Sequence, residues 1–161
     1  MYYASVTLHV LAALLWLGGM FFLVVVGAPV LRQVEPPALR AELFRRLGVQ
    51  FRLIGWIAVA VLLATGLANL QFRGLLHGSA LGEPAFWGSA YGRALGVKLG
   101  AVTAMVLLSA LHDFILGPAA SRVEAGTPRA LALRRWSAWV ARVNAILGVV
   151  LVIAAVRLAS P

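Results

Sequence analysis

The chain of 161 residues contains no cysteine and only five acidic residues. The lack of cysteine excludes disulfides, thiolate metal sites and iron–sulfur clusters. Charged residues of either sign make up 12% of the chain and hydrophobic residues 62%, whereas soluble domains are about 25% charged and about 45–50% apolar. This composition excludes an ordinary soluble domain and predicts a polytopic membrane protein.

Four apolar stretches predict membrane-spanning helices, since a bilayer takes about 20 helical residues. They cover about residues 3–29, 53–70, 94–117 and 136–158. Proline cannot continue the interior of an α-helix, so Pro29 and Pro118 set the predicted ends of the first and third helices. We expect one all-α transmembrane domain over residues 1–161, folded as a four-helix bundle of up-down-up-down topology. The sequence shows no persuasive internal repeat.

Basic residues concentrate in two of the three connections between these helices. The connection between helices 1 and 2 carries five arginines, as does the segment from the 3–4 connection into helix 4, but the 2–3 loop carries two. The positive-inside rule therefore puts both arginine-rich segments in the cytoplasm and both termini outside, as expected for a multi-pass inner (cytoplasmic) membrane protein. The net charge of +9 indicates topology and contact with lipid headgroups of the bilayer, and no nucleic acid is expected as a partner. The N-terminus lacks a basic region and a cleavage site, so we expect the first helix to be retained.

The first apolar helix contains one ionisable residue, His9, about two turns inside the span. Ionisable side chains within a membrane are costly and indicate a functional site. Trp16 and Met20 follow seven and eleven residues later and share a helical stripe with His9. Helix packing is the alternative role for each of the three, although an aromatic ring beside a liganding histidine also walls a porphyrin pocket.

The third helix carries Lys98, Met105 and His112, which are spaced by seven and share one face. His112 lies fourteen residues beyond Lys98, or about 21 Å along the helix. The sequence thus offers two polar clusters at different depths. The outer cluster contains His9, Lys98 and, from the 2–3 loop, His77, and the inner cluster contains His112, Asp113 and Arg142.

Two chemistries use such groups. Haem b is held by axial histidine within helical bundles, and cationic side chains such as Lys98 and Arg142 pair with its propionates. Copper(I) favours thioether and imidazole ligands, which His9, Met20, Met105 and His112 supply, with His77 as a further candidate metal ligand. A fixed charge on Lys98 repels a copper ion at close range and attracts a carboxylate, so the residues favour haem.

The opening His9, Trp16 and Gly18, followed by Pro29 and a basic residue, resembles the start of the CopD-like copper-resistance membrane domain. The segment from Leu111 to Phe114, with a lysine fourteen residues before its histidine, is similar as well. The opening with His9, Trp16 and Gly18 and the lysine of helix 3 also resemble HemJ-type protoporphyrinogen oxidases, which are small four-helix membrane proteins that bind haem b. The resemblance implies that His9 ligates haem or contacts copper and that Lys98 is its functional partner.

The leading prediction is a membrane protein that binds haem b through His9, with Lys98 and an arginine at the propionates and His112 or His77 as candidate second ligands. A redox or electron-transfer role would follow, with quinone or another redox protein as partner, as in a haem-dependent membrane oxidoreductase whose catalytic residues the sequence does not name. One alternative is a CopD-like protein of copper transport or resistance. Another is a structural membrane subunit whose histidines pack helices. Self-association into a homo-oligomer stays open.

Overall fold

A computed structural model describes residues 1–77, 79–123 and 127–159. Across these ranges the secondary structure is helical, with no strand. The α-helices are α1 (Tyr2–Phe22), α2 (Ala28–Arg32), α3 (Pro37–Phe72), α4 (Pro84–Gly88), α5 (Ala90–Ala110), α6 (Gly117–Ser121) and α7 (Pro128–Ala159). One π turn, Leu23–Gly27, joins α1 to α2, and a second, Leu111–Leu116, joins α5 to α6. The all-α prediction is confirmed.

Within the described ranges, four continuous helices are long and apolar enough to cross a membrane. They run over Tyr2–Arg32, Pro37–Phe72, Ala90–Ala120 and Pro128–Leu158, and each is longer than 30 residues. In each span, at most 28% of the most apolar stretch of 18 residues is buried inside the protein. The remaining apolar surface is suited to lipid, and the four predicted spans of a multi-pass membrane protein are confirmed.

The chain divides into two compact units, Met1–Glu83 and Pro84–Pro161, which we call hairpin 1 and hairpin 2. In hairpin 1, α1 and α3 run antiparallel and meet along their length. In hairpin 2, α5 and α7 pair in the same way. In each hairpin, the end where the two long helices are joined carries most of the arginines. We call this the closed end, and the opposite end the open end.

The largest departures from the predicted boundaries are the starts of α3 and α7, at Pro37 and Pro128, ahead of the predicted residues 53 and 136. The helices also continue through two prolines that were predicted to end them. The first and third spans do not end at Pro29 and Pro118 but extend to Arg32 and Ala120. In front of each proline the backbone widens into a π turn, where the N–H of the preceding residue bonds to a carbonyl five residues back. The wider turn shifts the hydrogen-bond register, so that a residue without an N–H fits into a continuing helix.

The two hairpins repeat the same local features at a constant separation of 89 residues, a correspondence that was not predicted from the sequence. Pro29 and Pro118 are one such pair, each the second residue after the end of a π turn. Further pairs are the buried Ala12 and Ala101, the buried Trp16 and Met105, and the dipeptides Arg45-Arg46 and Arg134-Arg135. The helix contact also repeats, because Trp16 lies against Gly55 and Met105 lies against Asn144. Each hairpin is therefore a version of one helical unit.

Candidate functional site in hairpin 1

His9 lies on α1 and faces Thr65 on α3 near the open end of hairpin 1. Its Nδ1 is 2.8 Å from Oγ1 of Thr65, which is 8% exposed. The same Oγ1 donates a hydrogen bond to the carbonyl oxygen of Val61, one turn earlier in α3, at 2.6 Å. Gly66 is next to this pair, and a Cβ added there would meet Cε1 of His9 at 3.5 Å. The hydroxyl of Thr65 thus holds one nitrogen of the imidazole, and the ring lies against the backbone of α3 at Gly66.

A polar column continues from this pair toward the open end. Ser5 precedes His9 by one turn of α1, and Asn69 follows Thr65 by one turn of α3. Among the side chains that the structure describes, Ser5 Oγ and Asn69 Oδ1 are buried without a hydrogen-bond partner. An unmet buried polar group costs about 1–3 kcal/mol, so these oxygens favour water or another polar guest beside them. At the end of the column, the ring of Tyr2 packs edge-on against Phe72.

Trp16 occupies the core of hairpin 1, two turns beyond His9. It is 4% exposed, and a Cβ at Gly55 would meet its Cδ1 at 3.7 Å. The absence of a side chain at Gly55 lets α3 approach the indole closely. Trp16 therefore fills the contact between α1 and α3 on the closed-end side of the polar column. Met20 lies one further turn along α1 and is half-buried.

Hairpin 2 carries the predicted residues of the third helix. Met105 is fully buried, and Asn144 of α7 donates hydrogen bonds to its backbone carbonyl oxygen at 3.4 Å and to Ser109 Oγ at 2.9 Å. Met105 is thus a packing residue in the core of hairpin 2. Lys98 is half-buried two turns nearer the open end. Arg142 of α7 is exposed.

His112 lies within the π turn of hairpin 2, toward the closed end. Its Nδ1 is 3.1 Å from Oδ1 of Asp113, and the two side chains are 41% and 21% exposed. Because the turn starts at Leu111, residues after it are rotated relative to a continuous α-helix, so the spacing of seven does not keep His112 strictly on the face of Met105. His77, in the connection after α3, is hydrogen-bonded through Nε2 to the side-chain amide of Gln71.

Sequence reasoning named both histidines of the helices and grouped Asp113 with His112, but it did not name Thr65 as the partner of His9. In the sequence Thr65 is a polar residue of the second span without an assigned role. The spacing of four between Ser5 and His9 matches that between Thr65 and Asn69, but the register of the two helices in the structure is what pairs them. Within the described ranges, no three His, Asp or Glu side chains come together as a metal cluster.

Comparison with known proteins supplies the family. Residues 45–158 match the model of copper resistance protein D, CopD, which covers more than half of the chain. The chain belongs to the CopD family. An uncharacterized protein of Aquifex aeolicus (strain VF5) is 33% identical to it over 152 residues, which are 94% of this chain and 90% of that protein. No solved structure matches the chain.

Membership of the CopD family confirms the resemblance to copper-resistance membrane domains and relates the chain to copper. The leading prediction, haem b with a redox role, gains no support from the family or from the described side chains, and neither does the resemblance to HemJ-type oxidases. The copper alternative is thus the better supported of the two.

Proposed function

We propose that this membrane protein takes part in copper transport or resistance and binds copper(I) as its cargo through the imidazole of His9. The observation that carries the proposal is the His9–Thr65 pair, an imidazole inside an apolar hairpin with one nitrogen tied to a hydroxyl. Histidine in copper sites commonly uses one ring nitrogen for the metal and the other for a hydrogen bond that fixes the ring. Family membership supports copper as the metal.

The inner histidine supports the same proposal. His112 also has its Nδ1 beside an oxygen, here of Asp113, so each hairpin holds one imidazole oriented through Nδ1. Lys98 does not argue against copper at His112, because fourteen residues of the same helix put the two about 21 Å apart. With the arginine-rich closed ends in the cytoplasm, as the charge distribution predicts, His9 lies toward the outer face and His112 toward the inner face.

Copper(I) binding by the full-length protein in detergent tests the proposal. A colorimetric chelator competes for the ion under reducing conditions, and metal analysis of the washed protein gives the stoichiometry. We expect His9→Ala to remove at least about 1.4 kcal/mol of binding free energy, a tenfold loss of affinity, because it removes the principal ligand. His77→Ala is the matched control, since that histidine lies in a connection outside the spans, and it should bind as the wild type does.

The outcome that would overturn the proposal is a wild-type protein without copper, or a His9→Ala variant with undiminished affinity. An absorption spectrum of the same sample distinguishes the haem prediction from the copper proposal. A Soret band that His9→Ala abolishes would restore haem b as the ligand, with Lys98 and Arg142 as the residues to test at its propionates. A copper-loaded protein without a Soret band supports the copper proposal.

A further inference from the structure

The hydrogen bonds of Thr65 define where its hydroxyl proton lies. The hydroxyl has one proton, and Oγ1 is 2.6 Å from the carbonyl oxygen of Val61, which has no proton to give. Two oxygens at that distance without a proton between them repel each other, so the proton lies between Thr65 and Val61. The carbonyl oxygen of Leu62, at 3.4 Å, is a weaker second acceptor for the same proton.

With its proton directed at Val61, Thr65 Oγ1 faces His9 with its lone pairs. The 2.8 Å contact to Nδ1 is then a hydrogen bond that His9 donates. A neutral imidazole carries one N–H, so donation from Nδ1 puts the ring lone pair on Nε2. The alternative tautomer, with the proton on Nε2, would set the lone pairs of Nδ1 and Oγ1 against each other.

We propose that Thr65 is a positioning residue that holds His9 in the Nδ1–H tautomer, which makes Nε2 the copper-binding atom. The part that concerns copper rests on the function proposed above, whereas the tautomer assignment stands on the hydrogen bonds alone. Thr65 also fixes the plane of the ring, because its own χ1 is restrained by the bond to Val61. Such outer partners of a metal-binding histidine typically change metal affinity by about 10–100-fold.

Nitrogen-15 NMR of the metal-free protein tests the tautomer directly. Protonated and bare ring nitrogens have widely separated shifts, and the chain has three histidines, so a His9→Gln spectrum identifies the signals of His9 by difference. At pH 8 we expect a protonated Nδ1 and a bare Nε2 for His9 in the wild type. Thr65→Val retains the shape of the side chain without the hydroxyl and should bring in the Nε2–H tautomer, while Thr65→Ser should restore the wild-type pattern. A protonated Nε2 on His9 in the wild type would overturn the assignment.

Copper(I) affinity of the same variants tests the positioning role. We expect Thr65→Val to bind about 10–100-fold more weakly, and Thr65→Ser to bind within a few-fold of the wild type. Thr7→Val is the matched control, because it makes the same change at an exposed position of α1 near the same end of the hairpin. Equal affinity of Thr65→Val and wild type would overturn the role. A wild type that shows the Nδ1–H tautomer but binds no copper would contradict the proposed function and leave the assignment intact.

Discussion

Replacement of Asn144 tests how hairpin 2 is held together. Asn144 is 5% exposed and joins α7 to α5 through hydrogen bonds to Met105 and Ser109. Hydrogen bonds between membrane helices contribute about 0.6 kcal/mol on average and up to about 1.7 kcal/mol. Truncation to alanine also opens a space of a few tens of Å³, which at about 24 cal/mol per Å³ costs roughly 1 kcal/mol. We therefore expect Asn144→Ala to lower the free energy of unfolding by roughly 2 kcal/mol.

Asn144→Leu separates the two contributions. Leucine fills the space, and it removes the buried Oδ1 of Asn144, which has no hydrogen-bond partner among the described residues. Ser109 can then donate to the carbonyl of Met105, four residues earlier in its own helix. The net loss should stay within about 1 kcal/mol, because burial without an unmet polar group offsets the lost hydrogen bond.

The assay is SDS-induced unfolding of the full chain in mixed micelles, followed by tryptophan fluorescence. Ile146→Ala serves as the control, since Ile146 is exposed on the same helix and its truncation leaves no internal space. A loss for Asn144→Leu as large as that for Asn144→Ala would refute the reasoning. It would mean that the hydrogen bonds, not the filled volume, hold the two helices together.

Two further predictions concern glycines. Gly92→Ala should lower the unfolding free energy by more than about 2 kcal/mol in the same assay, because its Cβ would overlap the backbone carbonyl of Phe86, whereas Gly96→Ala meets neighbours at ordinary contact distance and should be tolerated. Equal effects of these two substitutions would contradict this steric interpretation. Gly66→Ala should keep copper affinity within a few-fold, since its Cβ only touches His9 at van der Waals distance, while Gly66→Leu should lower the affinity at least about tenfold by pushing the ring aside. A leucine variant that binds copper like the wild type would show that the ring has room to spare.

The four spans were predictable because an uninterrupted apolar run of about 20 residues is typical of a membrane-spanning helix and rare elsewhere. The continuation of the helices past Pro29 and Pro118 was not predictable. The rule that proline ends a helix assumes α-helical register, and the π turn changes that register. The prolines are nevertheless the most useful sequence markers of the repeat. Their separation is also the separation between Trp16 and Met105, so aligning the two prolines would have revealed it.

The sequence was enough to predict His9 as a residue of the site, but it was not enough to predict the partner that positions His9. His9 is conspicuous because an ionisable side chain within an apolar run has few structural reasons to be there. Thr65 is not conspicuous, since a threonine in a membrane helix often bonds to its own backbone, as this one also does. What distinguishes it is the register of α3 against α1, which depends on packing at Gly55 and Gly66 and not on local sequence.

The repeat shows that the two histidines are not copies of one site. His9 corresponds to Lys98 in hairpin 2, and His112 corresponds to Leu23 in hairpin 1. One unit therefore bears an imidazole near its open end and the other near its closed end, each with Nδ1 beside a side-chain oxygen. A protein that only stored copper would have no need of histidines at different positions in the two units, because two copies of one site would be sufficient. The copper transport that we propose, with the orientation that the charge distribution predicts, would instead use one imidazole toward each face of the membrane.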